Sequence, residues 1–230
     1  MLKGLAIIPA RGGSKGLPRK NIKLLAGIPL ISYTITEALR CHCFDKIVVS
    51  TDDTEIAQIS RRYDSEVMMR PKELADDKTP IVDTIFHVLS TLEKEETYLP
   101  DYIVVLQPTS PLRSSCDIKA AINLFLDNPD CDSVVSVAKC EHPITWTMNI
   151  KNGYLISSFD ITYLKKRRQE NLASYKPNGA LYVTSSESLN KNQSFYSNKT
   201  IAYVMPAERS IDIDTEYDFM IAEFLVKKGM

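Results

Sequence analysis

Tyr102-Ile103-Val104-Val105-Leu106 is apolar at every position. A strand with one wet face alternates. An unbroken run has apolar side chains on both faces and has to be covered on both, as in a parallel sheet between helix layers. The remaining pattern supplies those layers. Residues 5–8, 46–50, 66–69 and 133–137 are short β-rich runs. Between them, apolar residues fall at helical spacing after Pro29 (Leu30, Ile31, Ile35, Leu39), over 54–63 (Ile56, Ala57, Ile59), from 81 (Ile85, Val88, Leu89, Leu92) and over 117–126. Asp53 or Thr54 stands where the second of these helices needs a cap. Strands over 180–184 and 201–205, then an amphipathic helix over 217–228 carrying Phe219, Ile221, Ala222, Phe224 and Leu225, close the chain. The alternation predicts an α/β fold with a mostly parallel sheet and right-handed crossovers. A chain of 230 residues, 44% apolar, buries such a core as one domain over 1–230.

The rhythm stops over 139–176, a stretch holding Trp146, several tyrosines and the run Lys165-Lys166-Arg167-Arg168. An irregular segment of that length with exposed aromatics is a candidate excursion that packs on a second subunit. The basic run alone reads more often as a solvated face than as a nuclear address or a nucleic-acid patch.

The first strand runs into Arg11-Gly12-Gly13-Ser14-Lys15-Gly16-Leu17-Pro18-Arg19-Lys20-Asn21. Glycines admit positive φ and let backbone N–H groups approach an anion; Arg11, Lys15, Arg19 and Lys20 bring the opposing charge. Such a loop suits a polyphosphate, against the plainer reading of a surface turn with solvated charges. Its spacing is neither G-x-G-x-x-G nor G-x-x-x-x-G-K-[ST]. Pro18 argues against an immediate helix, so the loop is expected to stay extended to Gly27. Near the other end, Asp212 and Asp214 stand two apart, on one side of an extended segment, and suit Mg²⁺. The alternative is a pair that caps the final helix, within which Asp218 reads as structural. Gln107, at a strand end, and Asn178, before Gly179, offer amides either to a ligand's hydroxyl and acyl groups or to turn backbone.

Twenty-eight basic against 29 acidic residues, net −1, give no overall drive towards nucleic acid or an anionic membrane, and neither is expected as a partner. The N-terminus enters a strand directly, and no run of about 18 apolar residues occurs, so a soluble, cytoplasmic protein is expected. Five scattered cysteines suit reduced thiols, and Cys41-His42-Cys43 reads as a helix end rather than a metal site. His42, His87 and His142 form no constellation with a nucleophile.

Written in full, Ile-Ile-Pro-Ala-Arg-Gly-Gly-Ser-Lys-Gly-Leu-Pro-Arg-Lys-Asn from Ile7 resembles the N-terminal signature of acylneuraminate cytidylyltransferases. Segments in matching order follow: 49–53 (VSTDD), 70–75 (RPKELA), 107–113 (QPTSPLR), 177–182 (PNGALY) and 211–214 (IDID). The resemblance implies a Rossmann-like nucleotidyltransferase fold in which 139–176 is a projecting dimerisation arm of a homodimer. It implies transfer of CMP from CTP to the anomeric C2 hydroxyl of a nonulosonic acid sugar, with release of pyrophosphate. Asp212 and Asp214 then hold Mg²⁺, with Mn²⁺ as a substitute, and Asp212 has a second candidate role as base. Arg11, Lys15 and Lys20 meet the phosphates, joined by Ser14 and the backbone of Gly12 and Gly13. Asn21 lies near the nucleotide and Arg70 helps to place it. Gln107 and Asn178 face the sugar, while Arg168 and Gln169 reach a neighbouring site from the arm. One departure is Lys176, where the family usually carries arginine; lysine keeps the charge and loses the bidentate fork. Gly16-Leu17-Pro18 is closer to the neuraminate and legionaminate types than to the pseudaminate type, and 3-deoxy-octulosonate enzymes carry another loop. A non-catalytic nucleotide-binding regulator is the competing class, and the intact acidic pair disfavours it.

Overall fold

The computed structural model describes residues 2–14, 16–76 and 78–229. In chain order the strands are β1 (Gly4–Pro9), β2 (Leu24–Leu25), β3 (Ile28–Pro29), β4 (Lys46–Thr51), β5 (Glu66–Met69), β6 (Tyr102–Leu106), β7 (Ser133–Lys139), β8 (Met148–Lys151), β9 (Tyr154–Ser157), β10 (Tyr175–Thr184) and β11 (Thr200–Met205). The helices are α1 (Leu30–Arg40), α2 (Thr54–Arg62), α3 (Ile81–Glu96), α4 (Ser115–Leu126), α5 (Ser186–Asn192) and α6 (Glu216–Lys227).

Seven strands form one sheet in the order β11-β7-β10-β6-β1-β4-β5. Every pairing is parallel except those of β10, which runs antiparallel to both β6 and β7. The all-apolar run β6 is buried throughout and is the central strand. Period-2 alternation divides β1 between two cores. Ala6 and Ile8 pack with Ile31 and Ile35 of α1, Ile56 of α2 and Ile118 of α4. Leu5 and Ile7 pack with Ile85 and Val88 of α3 and Leu189 of α5. This is the expected helix–sheet–helix sandwich. Asp53 makes the cap of α2, accepting from the N–H groups of Glu55 and Ile56, both at 2.9 Å.

From β1 the chain crosses to β4 and β5 on one side, and then returns to β6 on the other. The carboxyl ends of β1 and β6 therefore flank a point where the direction of winding reverses, the usual place for a ligand crevice in an α/β sheet. A third apolar cluster lies beside it: Leu17 of the glycine loop, Leu25 and Leu30 after it, Ile213 between the two aspartates, and Phe219 and Ala222 of α6. Ile213 is wholly buried, so apolar packing ties the end of the chain to its beginning.

Four local expectations need correction. The segment to Gly27 is not extended throughout: residues 20–22 form a 3₁₀ turn, and β2 and β3 make a tight ribbon whose two-residue turn has positive φ at both Ala26 (49°) and Gly27 (86°). β10 begins at Tyr175 rather than at 180, its register shifting between Pro177 and Tyr182. α5 was not anticipated. In α6, Phe224 faces out while Phe219 and Ala222 face the core. Over 139–176 the chain forms the antiparallel ribbon β8–β9 and short 3₁₀ turns. Ile150, Tyr154 and Leu155 on that ribbon are exposed, whereas Trp146 is half-buried, stacked on His142 and donating to the Tyr163 carbonyl at 3.2 Å. Lys165 to Arg168 are exposed. Cys41 and Cys43 follow α1 as free thiols. Among the described residues no helix is long and apolar enough to cross a membrane.

Candidate active site

A cleft of about 540 Å³ opens at the carboxyl ends of β1 and β6. Arg11, Ser14, Gly16, Lys20 and Asn21 line it from the glycine loop, Arg70 from the end of β5, Thr84 from α3, Gln107 and Thr109 from the segment after β6, and Asp214 from the far end of the chain. Lys15 and Asp77 lie outside the described residues.

The loop needs glycine for closeness rather than for a left-handed backbone. Among the described glycines, positive φ occurs at Gly27, Gly153, Gly179 and Gly229, not at Gly12, Gly13 or Gly16. A Cβ on Gly12 would stand 2.7 Å from Asp53 Oδ2, and one on Gly16 would stand 2.5 Å from the Asp214 carbonyl oxygen; Gly13 has open space. The backbone N–H of Gly12 donates to Asp52 Oδ1 at 3.0 Å. Arg19, which the sequence groups with the phosphate cations, turns away: it pairs with Asp53 and Glu55 at the start of α2. Asn21 is buried and donates to the Arg11 carbonyl at 2.9 Å, which fixes the loop from beneath.

Arg70 is 8% exposed and donates to Thr84 Oγ1 at 3.2 Å, with its buried Nε unpartnered. Burial lowers its pKa; Asp52 opposes that and Arg11 adds to it. A desolvated guanidinium beside a second arginine favours the arrival of an anion.

Lys20 Nζ donates to Asp214 Oδ1 at 2.9 Å and to the Ile213 carbonyl, joining the loop to the acidic segment. Asp214 is open to solvent, whereas Asp212 lies deeper, and its buried Oδ1 has no hydrogen-bond partner. Burial pushes the Asp212 carboxyl above its ordinary value and Asp214 adds to this, while Thr109 and Lys20 pull the other way. Gly179, at φ 73°, passes close by: a Cβ there would stand 3.0 Å from Gln107 Oε1 and 3.1 Å from Asp212 Oδ2. Asp218 closes a capping box with Thr215 at the start of α6, a structural role. The electropositive loop and Asp214 thus line one cleft, and Asp212 lies behind its wall, close to Gln107 and Thr109.

A family model described as cytidylyltransferase matches residues 5–221. The chain belongs to the cytidylyltransferase family. It is 36% identical to the N-acylneuraminate cytidylyltransferase of Escherichia coli O18:K1:H7 over 98% of its own length and 52% of that protein's. It is 37% identical to the CMP-N,N'-diacetyllegionaminic acid synthase of Legionella pneumophila over 97% of its own length and 96% of the relative's. The chain thus spans about half the length of the E. coli relative and nearly all of the Legionella one. A solved structure of CMP:2-keto-3-deoxy-manno-octonic acid synthetase complexed with CTP superposes with a TM-score of 0.73 at 20% identity, covering 99% of this chain and 100% of the other. That likeness is one of fold.

Within this cytidylyltransferase fold the remaining expected residues divide. Gln107 lines the cleft. Asn178 is 3% exposed and engaged by the protein: its Oδ1 accepts from Ser136 Oγ (2.6 Å) and the Ala180 N–H (3.2 Å), and its Nδ2 donates to Ser210 Oγ (2.9 Å). Arg168 and Gln169 line a separate cleft of about 360 Å³ with Lys139, His142 and Ser174. Lys176 is exposed at the start of β10. Sequence reasoning missed Arg113, which is 1% exposed and donates to the carbonyls of Gln107 (3.2 Å) and Ala180 and to Thr34 Oγ1 (2.8 Å). Burial lowers its pKa to about 10. Its place at the end of the 107–113 segment was the available signal. Asp52, Thr84 and Thr109 were missed too; the 49–53 and 107–113 segments contain the first and the last, and no sequence signal marks Thr84.

Proposed function

We propose that the chain is a CMP-nonulosonic acid synthetase acting on N-acetylneuraminate or legionaminate. The oxygen of the sugar's anomeric C2 hydroxyl attacks the α-phosphorus of CTP; the bond from that phosphorus to the bridging oxygen breaks, and pyrophosphate departs. The observation that carries this reading is the meeting of Arg11, Lys20 and Arg70 with Asp214 in one cleft, with Asp212 beside it.

Phosphoryl transfer asks mainly for alignment and relief of charge repulsion. Arg11 and Lys20 face the triphosphate, Ser14 and the backbone of Gly12 and Gly13 add hydrogen bonds, and Arg70 orients the nucleotide from its buried position. The donor set fits a hard divalent cation: two carboxylates, one with a buried oxygen lacking a partner, beside space for phosphate oxygens. Asp212 and Asp214 would hold Mg²⁺, or Mn²⁺ in its place, and the ion would offset phosphate charge as a Lewis acid. Asp212, whose carboxyl burial pushes above its ordinary value, is also the candidate acceptor of the hydroxyl proton. Gln107 contacts the sugar, and Asn178 acts from behind by fixing Ser210 and the Gly179 turn. The segment 139–176, with its exposed apolar ribbon, is a dimerisation arm that carries Arg168 and Gln169 towards the partner's sugar site. The compartment is the cytoplasm, where CTP is available.

A pyrophosphate-release screen tests the reading, crossing CTP, ATP, GTP and UTP with neuraminic, legionaminic, pseudaminic and 3-deoxy-octulosonic acids. Release with CTP and one of the first two sugars is expected. Release only with pseudaminic or 3-deoxy-octulosonic acid would overturn the sugar assignment, and nucleotide binding without release under every combination would favour the regulator.

A further inference from the structure

Between Met205 and Glu216 the chain has one 3₁₀ turn, Ala207–Arg209, and no strand ladder, so individual contacts outside any ladder set where Asp212 sits. On its upstream side, Arg209 Nε donates to Asp117 Oδ2 at 2.9 Å and Arg209 Nη2 to Oδ1 at 2.8 Å. Asp117 is 1% exposed and also accepts from Tyr203 OH (3.0 Å), the Ser114 N–H (2.9 Å) and Ser114 Oγ (2.7 Å). On the downstream side, the Ile213 N–H donates to the Thr109 carbonyl at 2.9 Å. Both anchors belong to one stretch of chain, the loop after β6 and the first turn of α4, which Arg113 braces internally through the Gln107 carbonyl.

Burying an ion pair is a weak way to gain stability, because desolvation offsets much of the attraction. A planar two-pronged pair is, however, a good way to fix a direction. We propose that Asp117 and Arg209 are positioning residues: their two-pronged clamp sets Asp212 against the nucleotide cleft, although neither touches substrate. The inference rests on the proposed metal role of Asp212. Partners that orient a metal-holding side chain commonly change metal affinity by about 10–100-fold when removed.

The test uses Mn²⁺ as probe, with saturating CTP and the full chain, and reads free Mn²⁺ by electron paramagnetic resonance beside kcat, KM and Tm. Arg209→Lys, which keeps charge and loses the fork, is expected to weaken Mn²⁺ binding by about 10–100-fold and to lower kcat with KM for CTP within about twofold. Asp117→Asn is expected to do the same from the other side, and it carries the test if the lysine variant does not fold. Ser185→Ala removes the cap of α5, which shares no partner with the clamp; it should lower Tm while Mn²⁺ affinity and kcat stay at wild-type values. Wild-type Mn²⁺ affinity and kcat in Arg209→Lys and Asp117→Asn, or an equal fall in Ser185→Ala, would overturn the clamp alone. Wild-type protein that takes up no Mn²⁺ in the presence of CTP would overturn the metal reading, and the clamp with it.

Discussion

Asp212→Asn is expected to make the protein more stable and nearly inactive. Burial raises the Asp212 pKa, so the fold disfavours the ionised form. The sign follows from linkage: a carboxyl raised on folding adds stability in its neutral form at low pH, and that contribution is lost as pH rises through the folded value. At neutral pH the ionised side chain therefore weakens the empty protein, and the amide removes that cost. The Tm of the variant, without nucleotide or metal, should exceed that of wild type near neutrality, the gap closing as pH falls below the ordinary carboxylate range. Pyrophosphate release should fall by about a thousandfold, since divalent-ion stabilisation of transferring charge amounts to several kcal/mol at 1.36 kcal/mol per tenfold. Thermal melts across pH, paired with steady-state rates, check both halves. An inactive variant with an unchanged or lower Tm would mean that Asp212 is not held as a strained buried carboxylate.

Lys20→Ala should lower stability modestly at neutral pH and lower turnover by about 10²–10³-fold, the latter the cost of removing one preorganised donor from developing charge. Its partner Asp214 is 75% exposed, so losing the pair leaves no desolvated charge behind and costs about 1 kcal/mol at most, while Lys20 itself, 12% exposed, also gives up its bond to the Ile213 carbonyl. Removing the ammonium also takes a like charge away from the acidic segment, so Mn²⁺ without CTP should bind more tightly than to wild type. Unaltered rate and CTP dependence in a folded variant would sink the assignment of the loop to the triphosphate.

The sheet was legible because its pattern is local. β6 begins and ends where its apolar run does, since a short run bounded by turn residues leaves little choice of boundary. β10 was read short because Pro177 and Gly179 look like turn residues; the strand accommodates them at a register shift. The loop glycines were found for an incomplete reason. Positive φ is a property of one residue and can be guessed from sequence, but the closeness of Gly16 to the Asp214 carbonyl depends on a neighbour 198 positions away. The same holds for Arg19, whose charge is visible in sequence while its pairing with Asp53 and Glu55 is not. Arg113, Asp117 and Arg209 are polar residues of ordinary appearance whose importance comes from the burial of the first two and from partners tens of residues distant. Motif resemblance brought the cleft's cations and carboxylates to notice; the scaffolding behind them required the fold.

A crystal structure with CTP and Mn²⁺, the ion located by its anomalous signal, tests most directly whether the two ends of the chain meet on one nucleotide. The account predicts the ion between the carboxylates of Asp212 and Asp214 and the phosphate oxygens, with Arg11 and Lys20 on the same triphosphate. Phosphates bound outside the glycine loop, or an ion that touches neither aspartate, would contradict it.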